Sequence, residues 1–156
     1  MKHLAEINIA HLTHDLGHPA VAPFADNLAR INGLAERMPG FVWRHVDASG
    51  NATDTQIDPN PRVIVNLSVW ESVEALETFV WGTLHAQFYR RRAAWFHAMD
   101  RMHFAMWWVD PGHLPTVAEA VARLDHLEAH GDTDHAFGWA HLPAATRWRE
   151  ARCVPA

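Results

Sequence analysis

An imidazole flanked by large rings at helical spacing is the most suggestive chemical feature of the chain. Trp81, His85, Phe88, Arg92 and Trp95 follow one another at steps of four, three, four and three, so a continuous helix carries all five on one side. A neutral imidazole at His85 suits a general base, or a ligand to a metal or haem iron. Facing chemistry comes from two strands. In Val63–Trp70, Val63, Val65, Leu67 and Val69 form a core side, while Ile64, Asn66, Ser68 and Trp70 form a mixed one. In His3–Leu12, Ala5, Ile7 and Ile9 alternate with Leu4, Glu6, Asn8 and Ala10. Water-facing strands usually carry charges, and a dry core does not hold Asn and Ser without partners. The mixed side therefore predicts a covered but wet cavity. There His85, Asn8 and Asn66 are the candidate catalytic groups, and Ser68, Trp70, Trp81, Phe88, Arg92, Trp95 and Trp108 are the candidate substrate contacts.

Amides and a hydroxyl in an apolar setting orient a carbonyl or phenol oxygen. The tryptophans supply apolar walls with one N–H donor each. Arg90, Arg91 and Arg92 fall on different sides of a helix, and only Arg92 shares the His85 stripe, where it can hold a carboxylate. Trp107 and Trp108 point to opposite sides of their strand, with Trp108 placed on the pocket side. His11, His14 and His18, and the pair His126 and His130, have spacings a metal can use, but no carboxylate or cysteine completes a recognised pattern. No metal site is expected apart from His85 if haem binds. No glycine-rich phosphate loop, GxSxG, HExxH or CxxC occurs, which removes the support for nucleotide, serine-hydrolase and zinc-protease chemistry.

The elements that position these groups read in the order β-α-β-β-α-β, an α+β ferredoxin-like arrangement with an antiparallel sheet. Strands are expected over His3–Leu12, Phe41–Val46, Val63–Trp70 and His103–Val109. One helix is expected from about Pro23 to Met38, and another follows Ser72 as N-cap, with Gly82 favouring a kink or restart near Thr83. A third helix over 116–130 has Thr116 and Glu119 as a capping box and Gly131 as its stop. Phe137–Leu142 reads as a short strand or arm, and the chain from Ala145 as a loosely held tail. The expected division is a barrel domain over 1–131 and an arm or tail over 132–156.

Asn8 in the first strand, VNLSVWESVEAL, HAQFYRRRAAWF, and the WWV strand followed by PGHLPTVAEA together resemble domain-of-unknown-function family 3291 of bacteria. That resemblance implies the dimeric α+β barrel superfamily, in which two ferredoxin-like sheets pair face to face around pockets. Antibiotic-biosynthesis monooxygenases and haem-degrading monooxygenases share that architecture. The resemblance implies a monooxygenase-like small-molecule enzyme working on an aromatic or polycyclic metabolite, with no built-in cofactor. A haem-binding alternative follows from layout, since Asn8, Trp81 and His85 occupy elements comparable to those of the haem-degrading enzymes. A non-catalytic ligand-binding or stress-response dimer is the third reading.

Composition narrows the partners. The chain has 156 residues and a formal charge of −5, with 49% hydrophobic and 20% charged residues. No basic patch extends beyond the triple arginine, so nucleic acid is not an expected partner. No apolar run reaches membrane-spanning length, and no signal-peptide segment opens the sequence. The single cysteine, Cys153, fits a cytoplasmic setting. Eight tryptophans and thirteen histidines are high counts for this length. The expected partners are a second copy of the chain and a small molecule.

Overall fold

Strict alternation of β-branched and apolar residues gives two long strands that pair over most of their length. In the computed structural model, which describes residues 1–153, β1 (His3–Leu12) lies antiparallel to β3 (Val63–Trp70), with Glu6 opposite Ser68 and Asn8 opposite Asn66. β2 (Phe41–Arg44) flanks β3 on its outer side, and β5 (Phe104–Val109) flanks β1 on the other, beside the two-residue β4 (Phe96–His97). The result is an open five-stranded antiparallel sheet with β1 and β3 at its centre. This is the ferredoxin-like α+β arrangement that the element order implies. Residues 154–156, the end of the expected tail, and the side chains of Arg152 and Cys153 lie outside the described part.

Each side of the sheet is closed by a different set of elements. Ala5, Ile7, Ile9, Val65, Leu67, Val69, Ala105, Trp107 and Val109 form one side, packed by Ala120, Leu124 and Leu127 of α5 (Val117–His130). Thr116 caps that helix by accepting from the Glu119 amide at 3.1 Å. The Glu119 carboxylate turns elsewhere and takes the Trp107 indole N–H at 3.3 Å and a contact with His113 at 2.8 Å. The mixed side receives α2 (Leu28–Glu36), α3 (Val73–Gly82) and the C-terminal arm. The expected first helix is broken into α1 (Ala22–Ala25) and α2. Gly40, at φ 82°, makes the turn into β2, and a Cβ there would stand 2.6 Å from that of Ala75.

The C-terminal segment departs from the reading of a loose tail. Phe137 bridges Met106 on the free edge of β5 through two backbone hydrogen bonds of 2.8 and 2.9 Å. The chain then crosses to the mixed side, where Trp139, Leu142 and Ala145 are buried. It ends in α6 (Thr146–Cys153) against α3, and the buried Glu77 carboxylate accepts from the Trp148 amide at 2.9 Å. Unpaired strand edges invite such an addition, and large rings supply the apolar burial that fixes it.

Candidate functional site

The mixed side of the sheet is built in rows across the central strands. Leu4 and Trp70 form the first row, 0% and 1% exposed. Glu6 and Ser68 form the second, at 5% and 6%. In the third, Asn8 is half-buried and Asn66 exposed, and neither amide side chain is hydrogen-bonded to any described residue. Apolar packing resumes beyond Ala10 and Ile64. Two ring-rich clusters flank the asparagine row. One contains Leu4, Trp70, Phe79, Phe104, Trp81 and Trp139. The other contains Leu12, Ile64, Trp95, Phe24, Phe88 and Phe96. The expected enclosed cavity is not what covers Asn8 and Asn66: Asn66 is exposed, and the pair lies on the sheet face between the two aromatic clusters. A partly open pocket of about 220 Å³ lies on the α5 side instead, lined among others by Ile9, Val63, Met99, Val121 and Leu124.

A chain of hydrogen bonds runs through the two rows beside the asparagines, on the same face. The Trp70 indole N–H donates to Ser68 Oγ at 2.9 Å, and the Ser68 hydroxyl donates to Glu6 Oε1 at 2.5 Å. Burial pushes the Glu6 carboxyl up from 4.5 to about 7, against the opposing pull of the Ser68 bond. Sequence reasoning placed Glu6 on this face and gave it no role. Its spacing two residues before Asn8 was the available signal, and its burial was not. Ser68 and Trp70 therefore serve Glu6 and the core, rather than presenting free groups to a ligand.

The helix that carries His85 is interrupted, as glycine at 82 favours. α3 ends at Gly82, Thr83 is extended, and α4 (Leu84–Arg90) starts afresh. Thr83 serves both ends: its hydroxyl donates to the Phe79 carbonyl at 2.6 Å and its oxygen accepts from the His85 amide at 3.3 Å. His85 Nδ1 lies 3.1 Å from the Val80 carbonyl. A carbonyl only accepts, so Nδ1 bears the hydrogen and Nε2 keeps its lone pair. Burial holds the imidazole below its ordinary range, which the Val80 bond partly offsets. The His85 ring packs on Phe79 at 5.0 Å, and Phe79 stacks on Trp70 at 5.3 Å, linking the imidazole to the floor of the sheet.

The broken helix disperses the rest of the stripe. Trp81 stays with the first cluster, edge-on to Tyr89 at 4.9 Å, and its buried indole N–H has no partner among the described residues. Phe88 and Trp95 belong to the second cluster, so Trp70 and Trp95 are interior members of different walls and do not line one enclosed pocket. Arg92 lies over the Tyr89 ring at 4.0 Å and donates to the Tyr89 carbonyl at 2.8 Å, which occupies the guanidinium on its own turn. Trp108 is 38% exposed at the β5 edge, tilted on Phe137 at 6.1 Å. Among the described residues no group of three or more His, Cys, Asp and Glu side chains is placed to hold a metal ion. The Trp and His of the haem layout lie on two separate helices, α3 and α4, and nothing in the comparisons below supports haem. Among the described residues, no helix is long and apolar enough to cross a membrane.

Comparison with known proteins gives a family and a fold. The family described as "Domain of unknown function (DUF3291)" matches residues 3–153. No curated protein matches the chain. Among solved structures, SnoaB of Streptomyces nogalater, a cofactor-independent oxygenase, is similar at 16% identity and a TM-score of 0.50, over 74% of this chain and 100% of that one. PA3566 of Pseudomonas aeruginosa matches at 15% identity and a TM-score of 0.45, over 74% and 97%.

Proposed function

The chain belongs to the DUF3291 family, and we propose that it is a small-molecule enzyme of the monooxygenase-like barrel type, acting on an aromatic or polycyclic metabolite without a resident cofactor. The observation that carries this reading is the unpaired asparagine row, Asn8 opposite Asn66, lying open between two ring-rich walls. Amides in that position hold a carbonyl or phenol oxygen while the rings hold the apolar body. His85, neutral and with Nε2 unprotonated, is the group that takes up or returns a proton. SnoaB, which shares this fold, is a cofactor-independent oxygenase, and that chemistry suits a site made of amides, rings and acid–base groups.

Oxygen uptake measured with a panel of polycyclic phenols tests the reading. The native protein is expected to consume oxygen with at least one of them, and Asn66→Ala and His85→Ala to lose most of that rate. Normal turnover in both variants contradicts the assignment. Binding without turnover across the panel points instead to a ligand-binding protein.

We further propose a cytoplasmic homodimer. α5 already covers the side of Ala5, Ile7 and Ile9, so a face-to-face pairing of the barrel type brings α5 into the interface rather than joining two bare sheets.

A further inference from the structure

We infer that Glu6 is a further proton acceptor of the proposed site, in addition to His85, with Oε2 as the atom that takes a proton from a bound phenol. The inference rests on the proposed phenol-binding role of the asparagine row and adds a base that such a ligand meets. The argument is one of hydrogen-bond direction. An indole N–H can only donate, so the Trp70 bond fixes Ser68 Oγ as its acceptor. Ser68 then has a single hydrogen, and it points at Glu6 Oε1. While Glu6 is ionised, Oε1 accepts from Ser68, and Oε2, hydrogen-bonded to no described residue, is the oxygen left open to a proton from a ligand. A carboxyl wired in this way is one-sided, with one oxygen anchored in the core and the other free to react.

Position completes the case. Glu6 and Asn8 are two residues apart on the same side of β1, roughly 7 Å along the strand. A ring lying over the asparagine row can place one oxygen at the amides and an O–H at Glu6. The step balances simply: the phenol O–H bond breaks, an O–H bond forms at Oε2, and the products are a phenolate and a neutral carboxyl. Burial favours the neutral product, so the site is a sink for that proton.

The elements packed around Glu6 bring few competing charges. On the β2 side, Arg44 is held by Glu36 at 2.7 Å. From α3, Glu77 is engaged with the α6 amide. On the β5 side the neighbour is Met106. From the arm, His141 pairs with Asp134 at 3.4 Å. His85 of α4 connects only through Phe79 and Trp70.

4-Nitrophenol is a suitable probe, because its phenolate is coloured and its ionisation falls near that of Glu6. Bound to the native protein at neutrality, where part of Glu6 is still ionised, it is expected to be yellower than the free probe while the infrared band of a neutral carboxyl grows. In Glu6→Gln the probe should bind with no added colour and no such band. Ser68→Ala, which removes the bond that favours the carboxylate, should move the colour midpoint of the bound probe. Added colour in Glu6→Gln equal to native, or added colour without a carboxyl band, overturns the assignment of Glu6 while leaving the reading of the asparagine row intact. Failure of the probe to bind the native protein in equilibrium dialysis overturns both.

Discussion

Glu6 is a residue whose behaviour differs from that of an ordinary side chain in a measurable way. Its carboxyl is raised from 4.5 to about 7 by burial. Below pH 4.5 the group is neutral in folded and unfolded chains alike, and its contribution to stability is fully present. Between those values the unfolded chain ionises first, so stability falls as pH rises, by about 3 kcal/mol in total for Glu6. Urea unfolding of Glu6→Gln against the native protein across that range should show the variant gaining by about that amount, and parallel curves would contradict the burial argument. His85 has the opposite sign. Its imidazole is lowered from 6.5 by burial, so its contribution is present above 6.5 and is lost as pH falls through its depressed value. Proton NMR titration should find His85 neutral where an ordinary histidine is half-protonated. Strand parity made the shared face of Glu6, Asn8, Asn66 and Ser68 legible in the sequence. Which of them are buried was not, because that depends on helices and an arm contributed from elsewhere in the chain.

At the scale of elements, the decisive features are the break at Thr83 and the wrap of the arm. A stripe at helical spacing is evidence of one face only while the helix is unbroken. Gly82 signalled the break, but the dispersal of Phe88 and Trp95 into a second cluster had no local signal. Thr83 satisfies backbone groups at both helix ends, so Thr83→Val should cost about 1–2 kcal/mol and free the start of α4. Hydrogen exchange at the His85 amide measures it, with faster exchange expected. A short strand or arm at Phe137–Leu142 was legible, but its docking site was not, because its partner is the edge of β5, some thirty residues earlier, and edge pairing is written in neither segment alone. Phe137 is 0% exposed, and Phe137→Ala should cost roughly 3–5 kcal/mol as a cavity-forming change in the core. Chemical denaturation checks this. A cost below 1 kcal/mol would mean that the arm is peripheral.

For the whole molecule, the sheet divides two jobs. The α5 side is apolar across its centre and holds the fold together. The other side is apolar at both ends and polar in the middle, where the asparagine row lies open. The ferredoxin-like order was legible from alternation and turn residues, whereas α5 as the cover of one whole side was not. Native mass spectrometry should report twice the chain mass if the proposed dimer forms, and a single-chain mass would remove it. The most direct test of the asparagine row is an NMR titration of the protein with 2-naphthol, following side-chain amide and indole signals. Shifts of Asn8, Asn66 and Trp81 are predicted, with those of Asn8 diminished in Asn66→Ala. Shifts confined to the α5-side pocket at Ile9, Met99 and Val121, or none at all, would contradict the account.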